Sequence, residues 1–355
     1  MKKNLMQLLF AATVMLAVSC APTTAPDESE FRTAQEINEA LGRGVNMGNT
    51  FEAPDEHAWF NPWDPEYFEI MAEIGFSHVR IPIRWTTPER SMAEPPYTIF
   101  PEFMNRIQKV VDTAIKNGLH AVINLHHHQE LFENPLENRD RFLAQWVQIA
   151  SFFKDYPDSL VFEILNEPHN NLTPELWNEF LRDALEIIRK ENPDRTVMIG
   201  TANWGGLGGL PELSLPDDPK LILTIHYYNP FRFTHQGASW VEDHPVMEWV
   251  GTTWDNTREE RQVVKDDFQI AIDFAGKHNV PVHIGEFGAI QFADMDSRAR
   301  WTNFLARWFE EQGFSWAYWE FSADNYGFYD PQTREFAMPL KNALLHNPML
   351  EPSDK

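Results

Sequence analysis

Two short segments each bring a glutamate to the end of a largely apolar run: Phe162-Glu163-Ile164-Leu165-Asn166-Glu167-Pro168 and His283-Ile284-Gly285-Glu286-Phe287-Gly288. A pair of carboxyl groups can cut a glycosidic bond when one is protonated and donates to the leaving oxygen while the other, ionised, attacks the anomeric carbon. With retention of configuration, that chemistry needs the two roughly 5 Å apart. It also needs environments that hold their pKa values apart. Pro168 biases Glu167 towards extended backbone, which fixes the placement of its carboxyl group. Gly285 and Gly288 put little bulk around Glu286, so a substrate can approach the backbone there. Either glutamate alone reads as a solvated or salt-bridged acid; two of them, each closing an apolar run among polar neighbours, read as a site. The residue types leave open which is the acid and which the nucleophile.

Residues this far apart in sequence meet only if regular elements carry them to one place. Short β-rich runs at 44–48, 78–83, 121–125, 160–165, 196–200, 221–225, 282–285 and 315–319 alternate with amphipathic patterns such as 101–117, 139–156, 174–191, 259–279 and 296–312. Thr173 before Pro174, Gly118 and Gly313 punctuate helix starts and stops. Strands that alternate with helices pair in parallel, and eight of them close a single (β/α)8 TIM barrel, an α/β fold. An open doubly wound sheet is disfavoured because Gly48-Asn49-Thr50 after the first strand is no dinucleotide fingerprint. A barrel of this kind carries its chemistry at the carboxyl ends of its strands. Nearly every strand here ends in polar or aromatic residues: Asn49 and Glu52, Arg80 and Arg84, His126-His127-His128, Asn166-Glu167, Asn203 and Trp204, His226-Tyr227-Tyr228, Glu286, and Trp319-Glu320.

Seven segments in fixed order carry a further signal: Gly44-Val45-Asn46-Met47-Gly48-Asn49, Val79-Arg80-Ile81-Pro82, Asn124-Leu125-His126-His127, Leu165-Asn166-Glu167-Pro168, His226-Tyr227-Tyr228, Ile284-Gly285-Glu286-Phe287-Gly288 and Tyr318-Trp319-Glu320-Phe321. With them the chain resembles glycoside hydrolase family 5, in particular bacterial endo-β-1,4-glucanases that also accept mannans, from residue 42 to about residue 345. The resemblance implies that Glu167 is the acid/base and Glu286 the nucleophile, with Arg80, His126, Asn166, His226, Tyr228 and Trp319 completing the catalytic shell. It makes Arg80 a cation that keeps the Glu286 pKa low. Asn166 is then a donor to the sugar 2-hydroxyl, Tyr228 a donor to Glu286, and Trp319 the floor beneath the reacting sugar. His126 and His226 orient the pair. Asn49, Glu52, His127, Trp204 and Trp240 match positions that line sugar subsites, and Asn203 stands where some relatives carry an acid. The implied substrate is β-1,4-glucan first, then mannan or glucomannan, then xyloglucan, with no cofactor and no metal. A metal-dependent hydrolase built on His126-His127-His128 is a rival, but adjacent histidines point in different directions, whereas metal ligands converge. A non-catalytic sugar-binding protein is a second rival, against which the carboxyl pair argues. Glu163, Glu320 and Asp324 read as structural acids, Glu163 with the strand parity of Glu167 and a partner inside the barrel.

Composition narrows the partners. A formal charge of −24 over 355 residues repels nucleic-acid phosphates and anionic membrane surfaces, so a neutral polysaccharide or oligosaccharide fits best. The 13 Trp and 26 Phe divide between core and sugar stacking in a ratio that composition does not give. Residues 1–19, with Lys2 and Lys3 before an uncharged apolar run, have the layout of a signal peptide. Ala17-Val18-Ser19-Cys20 resembles a bacterial lipoprotein box in which Cys20, the one cysteine, is lipidated. Residues 20–32 then form a disordered tether and 33–350 the catalytic domain. The expected form is an exported monomer, held to a membrane through the lipid or otherwise secreted.

Overall fold

The structure is a computed structural model, and it describes residues 31–322 and 325–354; Cys20, the leader and Asp324 lie outside the described residues. Eight parallel strands, β1 (Arg43–Asn46), β2 (His78–Ile81), β3 (His120–Asn124), β4 (Leu160–Glu163), β5 (Val197–Ile199), β6 (Leu221–His226), β7 (Val282–Phe287) and β8 (Ser315–Tyr318), pair in chain order. β8 returns to β1, so the sheet is a closed barrel. The predicted strands therefore form within about two residues of their expected ends, and the TIM barrel is the fold.

The helices are α1 (Ala34–Leu41), α2 (Glu66–Ile74), α3 (Pro101–Lys116), α4 (Gln129–Glu133), α5 (Pro135–Phe152), α6 (Pro174–Glu191), α7 (Phe231–Thr234), α8 (Arg258–His278), α9 (Met295–Glu311) and α10 (Met338–Leu345). After β5 a 3-10 turn at Leu207–Glu212 stands in for a helix. α5 begins four residues before the expected 139, because Pro135 occupies a first helical position where its missing N–H costs nothing. α1 was not among the predicted helices, although Thr33 and Glu36 form a capping box at its start. Its Ala34, Ile37 and Leu41 pack against Val122, Val161, Met198 and Ile222 from β3 to β6. That apolar layer plugs one end of the barrel and leaves the polar positions to the other.

The chain enters at the plugged end. Arg32 forms a fork to Asp158 at 2.7 and 2.9 Å, and Lys220 Nζ donates to the carbonyls of Phe31 and Arg32 at 3.1 Å. Asp158 and Lys220 precede β4 and β6, so Phe31 and Arg32 are held at the amino ends of the strands and belong to the barrel, two residues earlier than the tether was expected to stop. No helix among the described residues is long and apolar enough to cross a membrane. The aromatic load now divides: Trp85, Trp146, Trp177, Trp254, Trp301 and Trp316 are fully buried, while Trp59, Trp204 and Trp240 are 41 to 57 % exposed.

Candidate active site

The site is built around Arg80, whose guanidinium is wholly buried and has five charged or polar contacts. Nε and Nη2 fork onto Glu163 at 2.6 and 2.7 Å. Nη1 donates to Asn46 Oδ1 at 2.9 Å and to Glu286 Oε1 at 2.8 Å, and Nη2 reaches Asn166 Oδ1 at 2.7 Å. The closed sheet explains this convergence: Asn46 and Glu163 end β1 and β4, Arg80 stands one residue before the end of β2, and all three side chains turn into the barrel. Arg80 is thus both an internal ion-pair partner and a support of Glu286. Burial opposes the Glu163 charge, but Arg80 outweighs it and the pKa falls below the usual carboxylate range.

Glu286 lies on β7 where the pairing register shifts against both neighbouring strands, between Ile225 and His226 on one side and between Ile284 and Phe287 on the other. Such bulges re-aim a side chain next to an active site. Gly285 is small for a reason other than substrate approach: a Cβ there would lie 2.7 Å from Thr224 Oγ1 and 2.9 Å from His226 Nε2. Gly288 likewise makes room for the Trp319 carbonyl. Tyr228 donates to Glu286 Oε2 at 2.9 Å. The expectation of a low Glu286 pKa needs correction. Burial raises it above the ordinary value, outweighing the opposite pull of His226, Arg80 and Tyr228, while the nearby Glu167 adds to the rise.

Glu167 does not adopt the extended backbone that Pro168 favours; its φ is +44°, in the left-handed region. His169 Nδ1 bonds to the Glu167 carbonyl at 2.5 Å, and the Trp204 N–H donates to the Pro168 carbonyl at 3.2 Å, so the surrounding contacts impose a conformation that costs energy locally. The Glu167 side chain is 22 % exposed and bonds to His226 Nδ1 at 2.8 Å. Burial pushes its pKa up to about 7, with Glu163 adding and Arg80 and Asn166 opposing. One oxygen of Glu167, one of Glu286 and a ring nitrogen of His226 lie within 4.8 Å of one another. Because the two carboxyls share that space they titrate as a pair. The direct ion pair with Arg80 and the Tyr228 hydroxyl favour charge on Glu286, which leaves the proton with Glu167.

The rest of the shell assembles around this pair. Arg80 occupies the Asn166 oxygen, so the amide nitrogen is the group left to donate to a sugar hydroxyl. His126 stacks near-parallel to the half-buried Trp319 at 5.9 Å and bonds to Asn124 at 3.2 Å. Burial lowers the pKa of both His126 and His226, which keeps them neutral. His128 instead caps α4, accepting from the Leu131 N–H at 3.3 Å. Among the described residues, the acid and histidine side chains gathered closely enough to hold a metal ion are Glu167, His226 and Glu286 and not the three adjacent histidines.

The subsite candidates spread further. Asn49 is half-buried and donates to Glu320 Oε1 at 2.6 Å. Glu52, expected to meet sugar, is 1 % exposed and accepts from the backbone N–H groups of Asn49 and Thr50. Its part is to hold the loop that presents Asn49. Burial raises its pKa to about 7 against those backbone bonds. Trp204 stacks on His169 at 3.6 Å and 11°, and Trp240 borders Tyr326 at 6.2 Å on the Tyr228 side. Asn203 holds a left-handed φ of 59° beside Trp204, a conformation Asn tolerates. Glu320 is buried, as a structural acid should be, and sits where a Cβ on Gly48 would collide with it.

Residues 38–325 match the profile of the cellulase family, glycosyl hydrolase family 5. The chain belongs to that family. Endoglucanase H of Acetivibrio thermocellus is 37 % identical over 93 % of this chain, and the cellulase/esterase CelE of the same organism is 30 % identical over 82 % of it. The chain spans 36 % of the length of each of these curated relatives. The endoglucanase Cel5A of Thermotoga maritima is 47 % identical, covers 88 % of this chain with all of its own length, and superposes with a TM-score of 0.85.

Two members of the site escaped the sequence reading. Of the two, Asn46 has a visible signal, a polar residue in the middle of the expected strand at 44–48, and its amide donates to the Gly285 carbonyl at 2.9 Å while its oxygen meets Arg80. His169 follows Glu167 by two residues and had no local signal; its role depends on the left-handed turn that brings its ring under Trp204.

Proposed function

We propose that this family 5 chain is a retaining endo-β-1,4-glucanase that cuts internal bonds of cellulose-type glucans by double displacement. The observation that carries the retaining mechanism is that one oxygen of Glu167 and one of Glu286 lie within 4.8 Å of each other. Retaining glycosidases hold their carboxyls about 5 Å apart, whereas inverting ones leave roughly 6.5–9.5 Å for a water. Glu167 protonates the leaving oxygen as Glu286 attacks the anomeric carbon. The glycosyl–Glu286 ester is then cleaved by a water from which Glu167, now ionised, takes the proton.

The choice of β-1,4-glucan is supported by relatives named endoglucanases and by a structure of the Thermotoga Cel5A with cellobiose. Mannan is the second reading, because the same neighbour was also solved with mannotriose. Reducing-sugar release from β-glucan, glucomannan, mannan and xyloglucan at equal enzyme tests the order. Release is expected to be greatest from β-1,4-glucan; activity on mannan alone would reverse the choice.

The raised Glu167 pKa fixes a pH dependence. The acid must carry its proton, so kcat/KM is expected to fall by about tenfold per pH unit above about 7, where Glu167 ionises. On the acid side, activity falls where Glu286 gains a proton. A kcat/KM flat from about pH 6 to 9 would remove Glu167 from the acid role.

Lipidation at Cys20 and export are proposed on the sequence of the leader. Cys20→Ser is expected to move the protein from the membrane fraction to the soluble one, and an unchanged distribution would refute the lipid anchor.

A further inference from the structure

Rings continue outward from the reacting centre beyond the residues assigned above. Trp319 stacks on His126, whose ring meets His127 edge-on at 4.7 Å, and His127 meets Trp59 at 6.1 Å and 75°. Trp59 lies on the loop between β1 and α2, at the same end of the barrel as the carboxyl pair, and it is 41 % exposed. Beside it Phe60 is 91 % exposed with a left-handed φ of 58°. A phenylalanine in that conformation is uncommon, and one that buries almost nothing is not held there by its own packing.

The segment that carries these rings is pinned on both sides. Before them, Glu56 pairs with Arg106 on α3, whose guanidinium lies 4.8 Å over the Trp63 ring. After them, Asn61 donates to the Gly48 carbonyl at 2.8 Å, accepts from Ser322 at 2.9 Å, and its carbonyl takes the Thr50 hydroxyl at 2.7 Å. Between the pins, the Ala58 N–H bonds to the Asp55 carbonyl at 3.2 Å and the Phe60 N–H to the His57 carbonyl at 3.1 Å. The rings are thus presented by a hydrogen-bonded turn.

We propose that Trp59 and Phe60 form a distal sugar-stacking platform, a further subsite for a pyranose ring of the same polysaccharide chain that occupies the cleft. The apolar faces of a β-linked pyranose suit an aromatic plane, and the platform is continuous with the ring row that starts at Trp319. The proposal rests on the reading of the cleft as a β-glucan site. Its contacts lie away from the bond that is cut, so only substrates long enough to reach it gain from it.

Kinetics on cellotriose and cellohexaose with wild type, Trp59→Ala, Trp59→Phe and the double variant W59A/F60A test it. The double variant is expected to lose about tenfold in kcat/KM on cellohexaose and less than about twofold on cellotriose. Trp59→Phe, which keeps a ring, should retain most of the cellohexaose activity at an unchanged thermal midpoint. Equal losses on both substrates, or none on either, would overturn the platform. A wild type inactive on both would refute the glucan reading itself, and this subsite with it, a failure told apart from the others by the wild-type assay alone.

Discussion

Glu286→Ala is expected to leave less than about one part in 10⁴ of wild-type turnover with the fold intact, because no other group can form the glycosyl ester. Glu167→Ala should lose about 10²–10⁴-fold on polymer, the range of general acid catalysis, and much less on an aryl glycoside whose leaving group departs without a proton. That contrast separates the roles, which residue types alone leave interchangeable. Steady-state kinetics with circular dichroism as the folding control measure both. A large remaining activity in Glu286→Ala, or equal losses on the two substrate classes in Glu167→Ala, would void the corresponding assignment.

Arg80→Met is expected to be the most damaging substitution for stability, at about 3–5 kcal/mol, because it leaves buried Glu163 and Glu286 without their counter-charge. The guanidinium and Glu163 are 0 and 1 % exposed, so water cannot replace the lost partner. Adding Glu163→Gln removes one stranded charge, so the double variant should recover part of the loss. Urea unfolding of the two single variants and the double gives the coupling directly. Strictly additive losses would mean that the fork between Arg80 and Glu163 contributes nothing beyond its separate members.

These two effects depend on features legible to different degrees in the sequence. The eight strands were readable because each is a short β-rich run between turn residues, and the parity of Glu163 with Glu167 pointed to a partner inside the barrel. The identity of that partner required the closed sheet, which brings β2 and β4 side chains together across β3. The start of α5 was missed although Pro135 marks it, because the apolar period is clear only further along the helix. Local bias misled at Glu167. Pro168 favours extended backbone there, but the local bond from His169 to the Glu167 carbonyl and the tertiary bond from the Trp204 N–H to the Pro168 carbonyl outweigh it. The burial of Glu52 is invisible in the sequence for a related reason. An acid just after a strand looks like a ligand, and only three-dimensional burial shows its carboxylate turned onto the loop backbone. The expectation for the Glu286 pKa counted a neighbouring charge, which a sequence motif can suggest, and omitted desolvation, which it cannot.

Double displacement requires a carboxyl pair close enough for direct attack on the sugar. Proton NMR of the first products released from a β-linked cello-oligosaccharide reads this outcome before the anomers equilibrate. Appearance of the β-anomer first is the predicted result; an α-anomer at the earliest time points would mean inversion through a water and would contradict the role given to Glu286.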